Sequence, residues 1–272
     1  MQNPYQTPAA ELTPSGASAP GQLGEPIRVA ASRGIDWLSD GWRLFMRAPA
    51  MLLGISLTAV VLYTLVGLIP LLGSVAILLL WPALSAGLFL ALKHAHEGQP
   101  VAFADLFAPF ANLSGLVTLG ALYLLAMVAA VIAGVAVMGA LGGLSMLAGL
   151  ADNGVNHMSG MMSLAPSFLL AFLVFVTLVS LVAMAFIFAP ILVHQQQIPA
   201  VEALRLSFSA SLRNMLPFLL WGLAFLVAGV VVGVLSALIP LLGGLLMLAF
   251  CLMLMPLSAA SMYCAYRDIF WR

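Results

Sequence analysis

Charged residues are scarce in this sequence, and neither sign is in excess. Only 7% of the 272 residues are charged, with nine Lys and Arg against nine Asp and Glu, whereas about a quarter of a soluble domain is charged. This scarcity excludes a soluble enzyme and a disordered protein. The zero net charge excludes nucleic acid as a partner, because nothing attracts a polyanion. Since 64% of the residues are hydrophobic, the chain needs lipid as its solvent.

Cysteine is nearly absent as well. Cys251 and Cys264 lie 13 residues apart in one apolar stretch. That spacing is about 20 Å along a helix, whereas the Cα atoms of a disulfide lie within roughly 7 Å of each other. We therefore expect two buried free thiols, no disulfide and no cofactor.

Charge is missing altogether from six apolar stretches that are long enough to cross a bilayer, which takes about 20 helical residues. These stretches lie near 50–69, 71–92, 115–138, 166–193, 216–239 and 241–263. Ion-coupled carriers, proton relays and voltage sensors usually need charged residues inside their spans. The stretches also lack a Ser/His or Asp/Asp constellation for hydrolysis, so we expect no enzymatic activity.

All the basic residues fall on one side of a six-span topology. They are Arg28, Arg33, Arg43, Arg47, Lys93, Arg205, Arg213, Arg267 and Arg272. Because basic residues favour the cytoplasmic side of a membrane, we expect both termini in the cytoplasm. Residues 1–26 hold five prolines and no apolar core. They predict a disordered cytoplasmic tail, followed by a single integral membrane domain at 27–272.

Two observations predict three repeats inside the membrane domain. The segment from Leu68 to Gly73 recurs unchanged from Leu238 to Gly243, each time between two spans. The prolines from residue 26 onward also recur at corresponding places in units 27–99, 100–198 and 199–272. Each unit is then an amphipathic segment followed by a helical hairpin. Because each unit holds two spans, the three repeats run parallel.

The amphipathic segments carry apolar residues at helical spacing. Such helices lie in the headgroup plane with their apolar faces toward the lipid. We expect them either to sense lipids or partners or merely to cap the bundle. Their predicted interfacial face consists of Trp37, Trp42, Phe45, Phe107, Phe110 and Phe208.

A proline interrupts the second span of each unit near the middle of the membrane. Each proline removes one backbone hydrogen bond and frees the carbonyl four residues earlier, which a nearby serine can help to satisfy. Three kinked helices could frame a small cavity, or the bends could serve packing alone. The candidate cavity residues are Trp81, Pro82, Ser85, Pro190, Pro256 and Ser258.

Small residues repeat every four positions in several spans. Ala83, Gly87 and Ala91 form one such set, and Gly229 and Gly233 form another. Stripes of this kind let helix backbones approach closely.

The third apolar stretch is too long for one span. No charge occurs between Leu113 and Ala151, a run that would make a helix of about 57 Å against a hydrocarbon core of about 30 Å. We therefore expect the glycines from Gly139 to Gly149 to end the helix, and residues 139–165 to form an outer loop at the surface or re-entering the membrane. His157 and three methionines in this loop are soft ligands suited to Cu(I), so a metal role stays open.

Four motifs resemble a known family. They are GIDWLSDGWRLFMRAP at 34–49, DLFAPF at 105–110, LSFSASLRN at 206–214 and YRDIF at 266–270. Together they resemble six-span inner-membrane proteins of proteobacteria, similar in plan to YciC-like proteins and to the membrane domain attached to some glycerophosphodiester phosphodiesterases. The resemblance covers about residues 27–270. It implies a bacterial inner-membrane location but no activity, since no phosphodiesterase catalytic domain is present.

The sequence thus predicts an all-α polytopic membrane protein with six transmembrane helices in three parallel helical-hairpin repeats. We expect a non-enzymatic structural or interaction protein that contacts membrane lipids, other inner-membrane proteins or a second copy of itself. The alternative is a carrier or exporter of an apolar or lipid-like substrate through the kinked-helix cavity.

Overall fold

The computed structural model describes residues 24–70, 72–151 and 157–271, and the side chains of these residues except within 142–167 and 240–241. Ten α-helices and one 3₁₀ turn account for most of the described chain. They are α1 Arg33–Phe45, α2 Pro49–Gly67, α3 Leu72–Glu97, α4 Ala104–Phe107, the 3₁₀ turn Ala108–Ala111, α5 Ser114–Ala151, α6 His157–Phe186, α7 Ala189–Gln196, α8 Ala200–Arg213, α9 Met215–Leu238 and α10 Pro240–Phe270.

Six helical segments are long and apolar enough to cross a membrane. They are Pro49–Gly67, Leu72–Glu97, Ser114–Leu141, Phe168–Gln196, Met215–Leu238 and Leu242–Phe270. The all-α class and the six predicted spans are therefore confirmed. The spans pack in consecutive pairs, α2 on α3, α5 on α6 and α9 on α10.

The third span does not end where its glycines predict. α5 continues through them to Ala151 and is 38 residues long, and α6 begins at His157. The prediction that these glycines end the helix is wrong, and so is the predicted outer loop at 139–165 for its residues 139–151 and 157–165, which are helical. A helical glycine costs only about 1 kcal/mol relative to alanine, whereas backbone groups left unpaired in lipid cost several kcal/mol each. The candidate copper ligands at 157–162 lie outside the described side chains.

The tightly packed core lies at one end of the bundle. This end also carries the eight described Lys and Arg residues, and we term it the basic end. Its largest fully buried side chains include Trp37, Phe188, Tyr263, Tyr266 and Phe270. At the opposite, distal end, Leu72 and Leu238 are 74% and 71% exposed. Such exposure is expected where lipid, which is as apolar as leucine, replaces water as the solvent.

α1 packs against α10 and α9 at the basic end. Two glycines allow this contact, because a Cβ on Gly34 would overlap the carbonyl oxygen of Pro217 and a Cβ on Gly41 would lie 2.6 Å from the Oγ of Ser261. Trp37, on the same face of α1, is fully buried. The first amphipathic segment is thus bound into the protein along one face rather than lying free on the lipid.

Residues 24–30 cross the basic end without forming a helix. The amide of Gly24 donates to the carbonyl of Phe270 over 2.8 Å, and the amide of Ile27 donates to that of Ile269 over 3.0 Å. Buried Asn214 donates to the Ile27 carbonyl over 2.9 Å. The first 23 residues of the predicted tail lie outside the described residues, whereas its last three belong to this packed segment.

The repeated hexapeptide makes the same contact at two distal turns. Gly73 lies against the backbone of Val66, and Gly243 lies against the backbone of Ser236, in each case seven residues earlier. A Cβ on either glycine would overlap the carbonyl oxygen of that residue, which explains why both copies end in glycine. The three-repeat arrangement as a whole stays a prediction.

Candidate functional site

A cavity of about 320 Å³ lies inside the bundle, bordered mainly by α3, α6 and α10. Its volume falls at the lower end of the range of small-molecule sites. Six aromatic side chains contribute to its wall, namely Tyr63, Trp81, Phe89, Tyr123, Phe186 and Trp221. The cavity is therefore a predominantly apolar space between membrane-spanning helices.

The structure brings four of the six candidate cavity residues to this wall. They are Trp81, Ser85, Pro190 and Ser258. Pro82 and Pro256 lie inside α3 and α10 and are buried behind the wall. The proline positions thus locate the cavity, although two of the prolines do not line it.

The serines near these prolines do not bond the carbonyls that we expected the prolines to free, those of Leu78 and Leu252. The Ser85 hydroxyl donates to the carbonyl of Pro82 over 3.1 Å, and the Ser258 hydroxyl donates to that of Met255 over 3.0 Å. A helical serine reaches only the carbonyl three or four residues before it, so this part of the interpretation is wrong.

At Pro190 the helix breaks completely, and a neighbouring helix satisfies the break. α6 ends at Phe186 and α7 begins at Ala189. The Oγ of buried Ser207 accepts from the amide of Phe188 over 3.1 Å and donates to the carbonyl of Met184 over 3.0 Å. The Ser211 hydroxyl donates to the same carbonyl over 3.0 Å.

Neither serine is among the residues that the sequence predicts for the site. The signal that could have found them is their spacing of four residues on α8, which places both on one face of the helix. That face also carries Ala203, which is fully buried.

Two hydrogen-bond donors in the cavity wall have no partner. The hydroxyl of Tyr63 and the indole Nε1 of Trp221 are shielded from water and unpaired within the described part of the chain. Both belong to lining residues of the cavity. Their unpaired state is unusual, since most buried polar side-chain atoms have a partner.

The predicted interfacial residues divide into an inner and an outer group. Trp42 and Phe107 are 47% and 45% exposed, as expected of lipid-facing side chains. Phe110 and Phe208 are half-buried. Trp37 and Phe45 are buried in the protein core, so these two do not face lipid, because the glycine-containing face of α1 turns toward α9 and α10.

Trp37 also joins a charged network at the basic end. Its indole Nε1 donates to the Oδ2 of Asp268 over 2.8 Å, and the Nε of Arg33 donates to the same oxygen over 2.7 Å. Arg33 pairs with Asp36 and Asp40 as well. Burial opposes the charge of Arg33, but the hydrogen bond to Asp268 and the charges of Asp268, Asp40 and Asp36 together outweigh it and raise the pKa of Arg33.

A second polar contact joins α3 to α4. The Nδ1 of His94 lies 3.0 Å from the Oδ2 of Asp105, which also accepts from the amide of Ala102 over 2.9 Å. His94 is half-buried against this carboxylate. No group of three metal-ligating side chains occurs among the described residues.

The burial of the two free thiols differs from the prediction. Cys264 is half-buried, but Cys251 is exposed on the surface of α10. An apolar environment is still available to Cys251, because the exposed surface of a membrane-spanning helix faces lipid.

Comparison with known proteins shows the family. A probable inner membrane protein of Burkholderia thailandensis is 31% identical to this chain over 251 residues, which cover 88% of this chain and 90% of that protein. This chain belongs to the family of that protein. The relationship and the six apolar helices together support a multi-pass inner-membrane protein. No family model matches the chain, and no solved structure matches it.

Proposed function

We propose that this family member is a non-enzymatic lipid-binding protein that holds a membrane-dissolved amphiphile in the cavity between α3, α6 and α10. The observation that carries the proposal is the cavity, a space of about 320 Å³ with an apolar, largely aromatic wall. An amphiphile can enter such a space directly from the bilayer.

The interrupted helices favour binding over packing alone. Pro82 lies inside α3, Pro256 lies inside α10, and a break before Pro190 separates α6 from α7. Protein interiors are normally filled to the density of organic crystals. The space beside these three prolines therefore supports binding.

We also propose a membrane orientation for the chain and a wider relationship for its family. We place both termini in the cytoplasm, since the eight described Lys and Arg residues gather at the basic end. We also propose that the family is related to YciC-like proteins and to the membrane domain of some glycerophosphodiester phosphodiesterases.

The test is to fill the cavity and measure what the protein retains. Ser258→Leu places a larger side chain in the wall, and Ala183→Leu does so from α6. Ser180→Leu is the matched control, because Ser180 is exposed outside the cavity and also bonds a carbonyl of its own helix, over 2.7 Å. Native mass spectrometry of protein released from its own membranes with mild detergent reports the retained molecules.

We expect the wild type and Ser180→Leu to retain one small molecule per chain. We expect either cavity variant to retain at least fivefold less. Equal retention in all four proteins would refute the proposal, provided that thermal unfolding shows the variants to be folded.

A further inference from the structure

The cavity wall has no charge that could hold an ionic head group. Every lining residue that the structure describes is uncharged. Lys93 and Arg267 lie beyond the lining residues Phe89 and Met262, toward the basic end of α3 and α10. A phosphate or carboxylate in the cavity would lose its hydration without gaining a countercharge, which is strongly unfavourable. The wall therefore disfavours an anionic head group.

The two unpaired donors require an acceptor. An indole N–H can only donate, so Trp221 can be satisfied only by an acceptor atom. The Tyr63 hydroxyl, on a different helix, is unpaired too. Neither atom is reached by water in this structure, so a ligand oxygen reaches one of them only when its side chain turns toward the cavity.

The aromatic side chains favour a flat head group. The rings of Tyr63 and Trp81 lie 5.5 Å apart and are tilted by 35°, and the rings of Tyr123 and Phe186 lie 4.9 Å apart. Aromatic rings pack best with other rings at centroid distances of about 4.5–7 Å. A planar ring entering this space would find several faces and edges to contact.

We infer that the cavity binds an isoprenoid quinone, whose head is a flat, uncharged ring with carbonyl oxygens and whose tail is apolar. The head would lie among the aromatic side chains and accept a hydrogen bond from Trp221 or Tyr63. The tail would pass between helices into the lipid. This inference names the ligand class of the proposed lipid-binding function and rests on it. It concerns binding alone, without electron transfer.

The experiment compares four short-chain probes on the purified full chain in mild detergent. Decylubiquinone has the inferred head. Decylbenzene has a flat ring without an acceptor, dioctanoylglycerol has carbonyls without a ring, and dioctanoyl phosphatidylglycerol adds a charge. Occupancy is titrated for each probe by native mass spectrometry.

We expect decylubiquinone to bind most tightly. Trp221→Phe and Tyr63→Phe each remove one donor and keep a ring, so at least one of them should weaken decylubiquinone binding about threefold to tenfold, the effect of one hydrogen bond. Binding of decylbenzene should stay unchanged in both variants. Trp42→Phe is the control, because Trp42 is exposed on α1 away from the cavity.

The possible failures are distinguishable. Tighter or equal binding of another probe, or unchanged decylubiquinone binding in both donor variants, overturns the quinone inference and leaves the proposed function standing. If Ser258→Leu binds all four probes as well as Ser180→Leu does, both the inference and the proposed function fail.

Discussion

At the residue scale, single glycines decide where helices touch. The Cα of Gly87 faces the backbone of Leu106 in α4, and a Cβ there would overlap the Leu106 carbonyl oxygen. Gly233 belongs to a set with the same four-residue spacing, yet nothing lies within 4 Å of its Cβ position. The spacing predicts close helix contacts for both sets equally, because it carries no information about where a short element such as α4 packs.

Replacing these two glycines with alanine should therefore have different effects. We expect Gly87→Ala to lower the free energy of unfolding by about 1–3 kcal/mol, the usual effect of overpacking. Gly233→Ala should cause no loss, since its methyl group enters open space. Thermal unfolding of both variants in the same detergent checks the difference, and equal melting temperatures would contradict the predicted contact.

Asp268 is a single residue that fixes α1 against α10. It accepts hydrogen bonds from both Arg33 and the buried indole of Trp37, whereas Asp36 contacts Arg33 only at 3.4 Å and is half-exposed. We expect Asp268→Asn to cost about 1–3 kcal/mol and Asp36→Asn to cost less than about 1 kcal/mol. Chemical denaturation followed by tryptophan fluorescence measures both, and a larger loss for Asp36→Asn would contradict this ranking.

At the element scale, the break between α6 and α7 is held by another helix. Ser207 on α8 satisfies the Phe188 amide and the Met184 carbonyl together. A proline in the sequence predicts a break at Pro190, but the partner that repairs it is a long-range contact. The sequence of α6 and α7 alone contains no information about that partner.

Removing this hydroxyl tests the role of α8. We expect Ser207→Ala to destabilise the protein by about 1–3 kcal/mol, because it leaves the buried amide of Phe188 without its partner, whereas the Met184 carbonyl keeps Ser211. Ser209→Ala, on another face of α8, should change the free energy of unfolding by less than about 0.5 kcal/mol. The comparison requires thermal unfolding of both variants, and similar losses would show that Ser207 is not the partner that matters.

The elements also show what the sequence could and could not predict. Hydropathy and length predict all six spans, since any apolar helix of about 20 residues is stable across a bilayer. Trp37 and Trp42 look equally interfacial in sequence, yet one is buried and the other exposed, because Gly34 and Gly41 select the inner face of α1. The mid-span prolines indicate the cavity, whereas the donors of Tyr63 and Trp221 come from α2 and α9, whose prolines lie near the start of the helix.

At the scale of the whole molecule, the two ends differ in packing and in charge. The basic end holds the aromatic core and the segment 24–30, and the distal end exposes leucines at its turns. The insertion bias retains Lys and Arg on the cytoplasmic side, and acidic residues contribute little to it. The gathering of the described Lys and Arg residues at one end therefore supports the proposed orientation.

This orientation can be read from the labelling of single cysteines, in a chain where Cys251 and Cys264 are replaced by alanine. Leu68→Cys lies at a distal turn and Glu97→Cys at the basic end, and both positions are exposed. A membrane-impermeant maleimide should label Leu68→Cys in cells whose outer membrane alone is permeabilised, and label Glu97→Cys only after the inner membrane is opened. The opposite pattern would place the basic end outside the cytoplasm and refute the orientation. Labelling of both positions in intact inner membranes would mean that the two distinct ends do not determine a single topology.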